Sequence, residues 1–150
     1  MFILRIVLGW LYFYAGITKV LNPAWSAGGY LEKAKTFPDF YHWLAGPSIL
    51  PVINFLNAWG LTLIGAALIL GVFVRLSSFS AIILMVLYYL PVLDFPYPNT
   101  NFFIVDEHII FIGALIVLAV FRAGRAWGLE NWCANLPLCR KFPKLREWLG

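Results

Sequence analysis

Apolar side chains follow one another almost without interruption in four stretches of the chain, Ile6 to Val20, Ala58 to Val74, Leu76 to Leu93 and His108 to Phe121. A helix rises about 1.5 Å per residue, so roughly 20 apolar residues cross the ~30 Å hydrocarbon core of a bilayer. The pattern predicts an all-α, polytopic membrane protein, a bundle of four transmembrane helices over about residues 2–21, 54–74, 76–93 and 106–122. The second and third runs have the length on their own. The first and fourth reach it when their charged ends, Arg5 and Lys19 on one, Asp106, Glu107 and Arg122 on the other, lie at the interfaces.

Between the first two runs, Asn22 to Val52 is too aromatic and too rich in Pro for a flexible linker and is expected to lie in the outer interface. Its middle, Ser26 to Thr36, reads as a short helix with Glu32, Lys33 and Lys35 facing water. Tyr30, Phe37, Phe40, Tyr41 and Trp43 then sit at headgroup depth, with Pro38, Pro47 and Pro51 as breaks, and His42 is read as interfacial. Pro91, Pro96 and Pro98 set a second outer loop. After Phe121 the chain turns amphipathic and basic, with Trp127, Leu129, Trp132, Leu136 and Leu138 among cations. Residues 1–132 therefore read as the membrane domain and 133–150 as a C-terminal tail.

Composition agrees with this division. Of 150 residues, 62% are hydrophobic and 12% charged, against roughly 45–50% and 25% in soluble domains, which excludes an ordinary soluble fold. The start, one Arg before an apolar stretch, is like a secretory signal. Yet the run continues to Lys19 with no small-x-small cleavage site, and Trp10, Tyr12, Phe13 and Tyr14 are unusual in a cleaved segment. The net charge of +4 is unevenly placed. Arg5, Arg75, Arg122, Arg125, Arg140, Lys141, Lys144 and Arg146 fall on one side and Lys19, Lys33 and Lys35 on the other. That bias predicts a multi-pass protein of the plasma membrane with both termini cytoplasmic. The basic face suits the anionic headgroups of the bilayer and is no nucleic-acid signal.

Candidate chemistry is confined to a few positions. Arg5, Gly9, Tyr12, Gly16 and Lys19 recur at steps of four and three, which puts them on one helical face. Packing glycines with snorkelling charges, and a polar lining of the bundle, both account for this stripe. Gly60, Gly65 and Gly71 predict close backbone approach in the second helix. Asn57, near its outer end, needs a polar partner. Ser77, Ala81, Met85 and Tyr88 share a face of the third helix; Tyr88 or Tyr89 would bring a hydroxyl to the outer mouth, where an aromatic belt is the simpler account. Asp106 and Glu107 open the fourth helix, where two acids suit the helix dipole. His108 follows them just inside the apolar run, where a carboxylate partner would keep it able to exchange protons near neutral pH.

Several classes are absent. His42 and His108 are too far apart to suggest bis-His haem, Cys133 and Cys139 cannot supply the thiolates of an iron–sulfur cluster, and no metal site is predicted. There is no phosphate-cradling glycine loop with Lys and no nucleophile elbow. In the predicted orientation the two cysteines face a reducing compartment as free thiols; in the reverse orientation they are a candidate disulfide.

Arg5-x-x-x-Gly9 followed by Ala15-Gly16-x-x-Lys19 is similar to the opening of the DoxX group of small four-helix membrane proteins. Trp59-Gly60-Leu61-Thr62-Leu63-Ile64-Gly65 through Leu70-Gly71-x-x-x-Arg75 resembles their second helix. Val105-Asp106-Glu107-His108-Ile109-Ile110, with Ala123-Gly124-Arg125-x-x-Gly128-Leu129, looks especially like the DoxD branch. The likeness extends to about Trp132 and leaves out the tail that holds both cysteines. It implies a four-helix bundle and, for the DoxD branch, a membrane subunit that passes electrons from thiosulfate to quinone.

The expected function is therefore a quinone-interacting membrane subunit of an oxidoreductase, with quinone as substrate and no covalent cofactor. Lys19, Tyr12, Asn57 and Tyr88 are its candidate quinone- or substrate-binding residues and His108, Asp106 and Glu107 its proton-handling residues. Arg5, Gly9 and Gly16 form the structural part of the stripe. Lys19, helped by Lys33 or Lys35, is the candidate seat for a small anionic sulfur compound. A second subunit or a second copy is an expected partner. The alternative is a non-catalytic anchor or scaffold that recruits a soluble redox enzyme through the Trp-rich tail.

Overall fold

A computed structural model of the chain describes residues 1–98, 101–125 and 128–129. Apart from an isolated bridge between Asp94 and Tyr97, these residues form helices joined by turns. In chain order the helices are α1 (Phe2–Val20), α2 (Gly28–Leu31), α3 (Pro38–Leu44), α4 (Leu50–Leu70), α5 (Val74–Val92) and α6 (Glu107–Val120), followed by a 3₁₀ turn at Ala123–Arg125. The Trp-rich tail with Trp132, Cys133 and Cys139 lies outside the described residues.

Among the described residues three helices have the length and apolarity to cross a membrane, α1 with 19 residues, α4 with 21 and α5 with 19. The fourth run is shorter than the sequence suggests. At 14 residues α6 rises only about 21 Å, less than the hydrocarbon core. Its start is fixed by Asp106, whose carboxylate caps the helix by accepting from the backbone N–H groups of His108 and Ile109 at 3.0 and 3.3 Å. At the other end Arg122 takes a left-handed φ of 47°, which ends the helix.

The second span runs from Leu50 to Leu70 instead of 54–74. Pro51 is no break here, because in the first turn of a helix its missing N–H has no partner to lose. Gly71 stops the helix by adopting φ +68°, and the Val72 N–H reaches back to the Ala67 carbonyl at 3.0 Å.

Helices α1 and α4 pack antiparallel, in a register that sets Gly9 at Ile69, Phe13 at Gly65 and Gly16 at Thr62. A Cβ on Gly16 would collide with the Thr62 backbone, and one on Gly65 with the Phe13 backbone, so these glycines let the two helices touch along their main chains. Gly60 differs from the sequence expectation: its nearest neighbour, Leu84 Cδ1, is 4.0 Å from where a Cβ would stand. Helix α5 packs closely on α6, and the two pairs meet along a looser seam between α4 and α5. The shared core is formed by Leu8, Tyr12, Leu61, Ile64, Leu68, Ala81, Met85, Leu115 and Leu118.

Arg5 does not snorkel. It is 1% exposed, its Nη1 donates to the Ala123 carbonyl at 2.8 Å, and it lies against Gly71 and Gly128. It ties α1 to the end of α4 and to the chain after α6, where the Leu129 N–H donates to the Leu70 carbonyl at 3.1 Å.

The long connection between α1 and α4 is less peripheral than a headgroup-level loop. It folds into α2 and α3 around a small core of Ala27, Leu31, Ala34 and Tyr41, against which Trp25, Leu44, Ile53 and Leu90 pack. Phe37, Phe40 and Trp43 stay exposed as expected, but Tyr41 is 1% exposed. The cause is Pro91, which lies inside α5 and, lacking an N–H, cannot bond the Leu87 carbonyl one turn back. The Tyr41 hydroxyl donates to that carbonyl at 3.1 Å. Next to it Tyr30 donates to the Tyr88 carbonyl at 2.5 Å, Thr36 to Leu93 at 2.5 Å and the Lys35 N–H to Pro91 at 3.0 Å. The connection is thereby strapped over the C-terminal end of α5 as a lid.

Candidate functional site

The antiparallel register that sets Gly16 beside Thr62 also brings Lys19, in the last turn of α1, to Asn57 on α4. Lys19 Nζ donates to Asn57 Oδ1 at 3.0 Å and to the Tyr88 hydroxyl at 3.4 Å, and the Asn57 amide donates to the same hydroxyl. Tyr88 reaches this point because it continues the buried face of α5 that carries Ser77, Ala81 and Met85. Three helices thus meet in one hydrogen-bonded set. The Lys19 ammonium also stands 4.8 Å from the centre of the Trp25 ring and 5.5 Å from that of Tyr88, where cation–π attraction offsets part of its lost hydration.

The fourth helix joins through His108, whose ring meets Tyr88 edge-on at 6.3 Å and 73°. His108 Nδ1 lies 2.7 Å from Asp106 Oδ2. A carboxylate only accepts, so Nδ1 is the donor of this pair and Nε2 is on the far side of the ring from Asp106. One oxygen of Asp106 caps α6 while the other orients the imidazole. That double use explains why Asp106 is buried while Glu107, one residue on, faces out.

The remaining predicted residues lie apart from this set. Tyr12, a candidate quinone-binding residue with Lys19, is seven residues before it and therefore about 10 Å deeper along α1. It is buried in the central core, edge-on to Phe111 at 6.5 Å, with no hydrogen-bond partner for its hydroxyl among the described residues. Arg5, Gly9 and Gly16 share the buried face of α1, with Arg5 at the opposite end of the bundle. Lys35 pairs with Asp94 at 3.1 Å on the surface. Together with Lys33 and Tyr30 it lines an open basin of about 870 Å³ beside the proline loop.

A second, smaller cavity of about 180 Å³ lies beneath the lid. Leu31 and Tyr41 line it from above and Ile53, Leu56 and Leu87 from the helices, while Asn57 and Tyr88 give it a polar end. Tyr30 borders both spaces. Burial, with the neighbouring Tyr88 and Tyr41 and the acids Asp106 and Glu107, pushes its phenol up to about 12, so it stays a hydrogen-bond donor at neutral pH. Burial also raises Tyr41 above the ordinary phenol range.

Trp25, Tyr30 and Tyr41 escaped the sequence reading as parts of a site. Tyr30 and Tyr41 read as interfacial aromatics, nothing in the sequence singles out Trp25, and only the fold of the lid brings the three to the site. The available signal was Pro91: a proline within an apolar run leaves a carbonyl unpaired one turn earlier, which a donor from elsewhere must meet.

The DoxX family model matches residues 1–93, a stretch that contains Lys19, Asn57 and Tyr88 and ends before Asp106 and His108. No curated protein and no solved structure matches the chain. With more than half of its length matched, and the matched part folded into three apolar helices of membrane-spanning length, the chain belongs to the DoxX family of membrane proteins.

Proposed function

We propose that this DoxX-family protein is the quinone-interacting membrane subunit of an oxidoreductase of the DoxD kind, fed by thiosulfate or a related sulfur donor through a second subunit. The observation that carries the reading is the meeting of Lys19, Asn57 and Tyr88 with the His108–Asp106 pair at one end of the bundle. Reducing a quinone to a quinol takes two electrons and two protons. The electrons come from the sulfur donor and the protons from water. Lys19 supplies a fixed positive charge where negative charge develops on the quinone oxygen. His108 passes protons from the mouth of the site, with Asp106 holding its ring in place and Glu107 facing outward. The excess of cations at the other end, with Arg5, Arg75 and Arg122, supports a reading in which both termini are cytoplasmic and this site is near the outer leaflet of the plasma membrane.

The test is turnover. The protein, purified with its bound partner, reduces a quinone analogue at the expense of thiosulfate, and Lys19→Ala and His108→Ala each slow that reaction by roughly 100-fold. Full activity in both variants rejects the site.

A further inference from the structure

We propose that the 180 Å³ cavity beneath the lid is a slot for a single-ring quinone headgroup, admitted sideways from the lipid between α4 and α5. This rests on the quinone reading above and adds the place, the access route and the ring size. Four observations support it.

The first is volume: apolar cavities of about 150 Å³ take up one benzene ring, so a space of 180 Å³ holds one ring and leaves the isoprenoid tail outside. The second is where that tail would go. Leu56 and Leu87 line the cavity yet are 58% and 37% exposed, on helices of membrane-spanning length, so the cavity wall is also a lipid-facing surface. It lies at the seam between α4 and α5, which is looser than the packing of α1 on α4 or of α5 on α6.

The third is polarity. The hydroxyls of Tyr30 and Tyr41 in its lining are taken up by the Tyr88 and Leu87 carbonyls, and the rest is apolar except for Asn57 and Tyr88, which meet each other. The fourth is the state of the Tyr88 hydroxyl. Its oxygen accepts from Asn57 and from Lys19, while its own hydrogen meets no acceptor among the described residues. A hydroxyl offers one donor and two acceptor sites, so what remains is a donor aimed by its two neighbours. A quinone carbonyl is the complement of that donor, and the ring behind it matches the apolar walls. The lid closes the slot from the aqueous side, with Leu31 and Tyr41 over the ring.

The experiment uses the full chain in lipid nanodiscs and a photoreactive benzoquinone with a short isoprenoid tail. Affinity is read from quenching of tryptophan fluorescence, and the labelled peptides are mapped by mass spectrometry. Label is expected on Ile53–Asn57 and Leu84–Tyr88. Tyr88→Phe, which keeps the ring and removes the donor, weakens binding about tenfold. Leu56→Trp, which narrows the lipid-side opening, weakens it by at least as much, whereas Ile83→Trp, equally lipid-facing but away from the cavity, leaves it unchanged. Binding to the wild type with label elsewhere, and with Tyr88→Phe and Leu56→Trp unaffected, overturns the slot while leaving the quinone reading intact. No binding to the wild type at all removes both.

Discussion

Tyr41→Phe isolates the hydroxyl that compensates for Pro91. The substitution keeps the ring, and with it the contact to Phe40 at 5.2 Å, and removes the bond to the Leu87 carbonyl at 3.1 Å. No helical N–H can replace it, because residue 91 is proline. The cost is that of a carbonyl left unsatisfied in a largely apolar setting, about 1–3 kcal/mol, or a roughly 5- to 150-fold increase in lid opening. Pro91→Ala supplies the missing N–H from within α5. In that background the Leu87 carbonyl already has a partner, and Tyr41→Phe is expected to cost less than about 0.5 kcal/mol, so the two substitutions couple strongly in a double-mutant cycle. Hydrogen exchange of the amides of residues 27–44 in nanodiscs reads the opening equilibrium. Equal acceleration by Tyr41→Phe in both backgrounds, or none in either, refutes the claim that the proline is what draws the lid onto α5.

Two other features give quantitative tests. Gly16→Ala and Gly65→Ala force a methyl group into facing backbone and should each cost about 1–3 kcal/mol in detergent-titrated unfolding, while Gly60→Ala, with open space beside it, stays neutral or stabilises; equal losses at all three refute the helix register. Tyr30 has a folded-state pKa raised from 10.0 to about 12, so its bond to the Tyr88 carbonyl contributes fully below pH 10 and is lost as pH rises through about 12. The difference in denaturant midpoint between the wild type and Tyr30→Phe should hold constant up to pH 10 and shrink above it, and a collapse of that difference near pH 8 contradicts a donor with a raised pKa.

Much of the membrane architecture is legible along the chain because hydrophobic burial in lipid depends on local runs. The spans at α1 and α5 fall within two residues of their expected limits. The stripe Arg5, Gly9, Tyr12 and Gly16 is the buried face of α1, as its spacing requires, since helical periodicity is fixed by backbone geometry. The ends were harder to read, because they depend on single residues with more than one use. Pro51 opens α4 where a proline seemed a break, and the Asp106 cap cuts α6 to 14 residues.

By itself the sequence determined that this is an all-helical membrane protein and which positions could hold chemistry, Lys19, Asn57, Tyr88, Asp106 and His108 among them. Only the tertiary structure decided which of them meet. Lys19 and Asn57 are brought together by glycine contacts at Gly16 and Gly65, three or more residues away from either. Tyr12 shares the face of Lys19 yet lies two turns deeper, because a stripe records direction around a helix and not depth along it. The lid had to fold before Trp25 could cover Lys19 and before a cavity could exist at all. Periodicity is a property of one segment, whereas a site is a property of the distances between segments, and those distances are set by which backbones can touch.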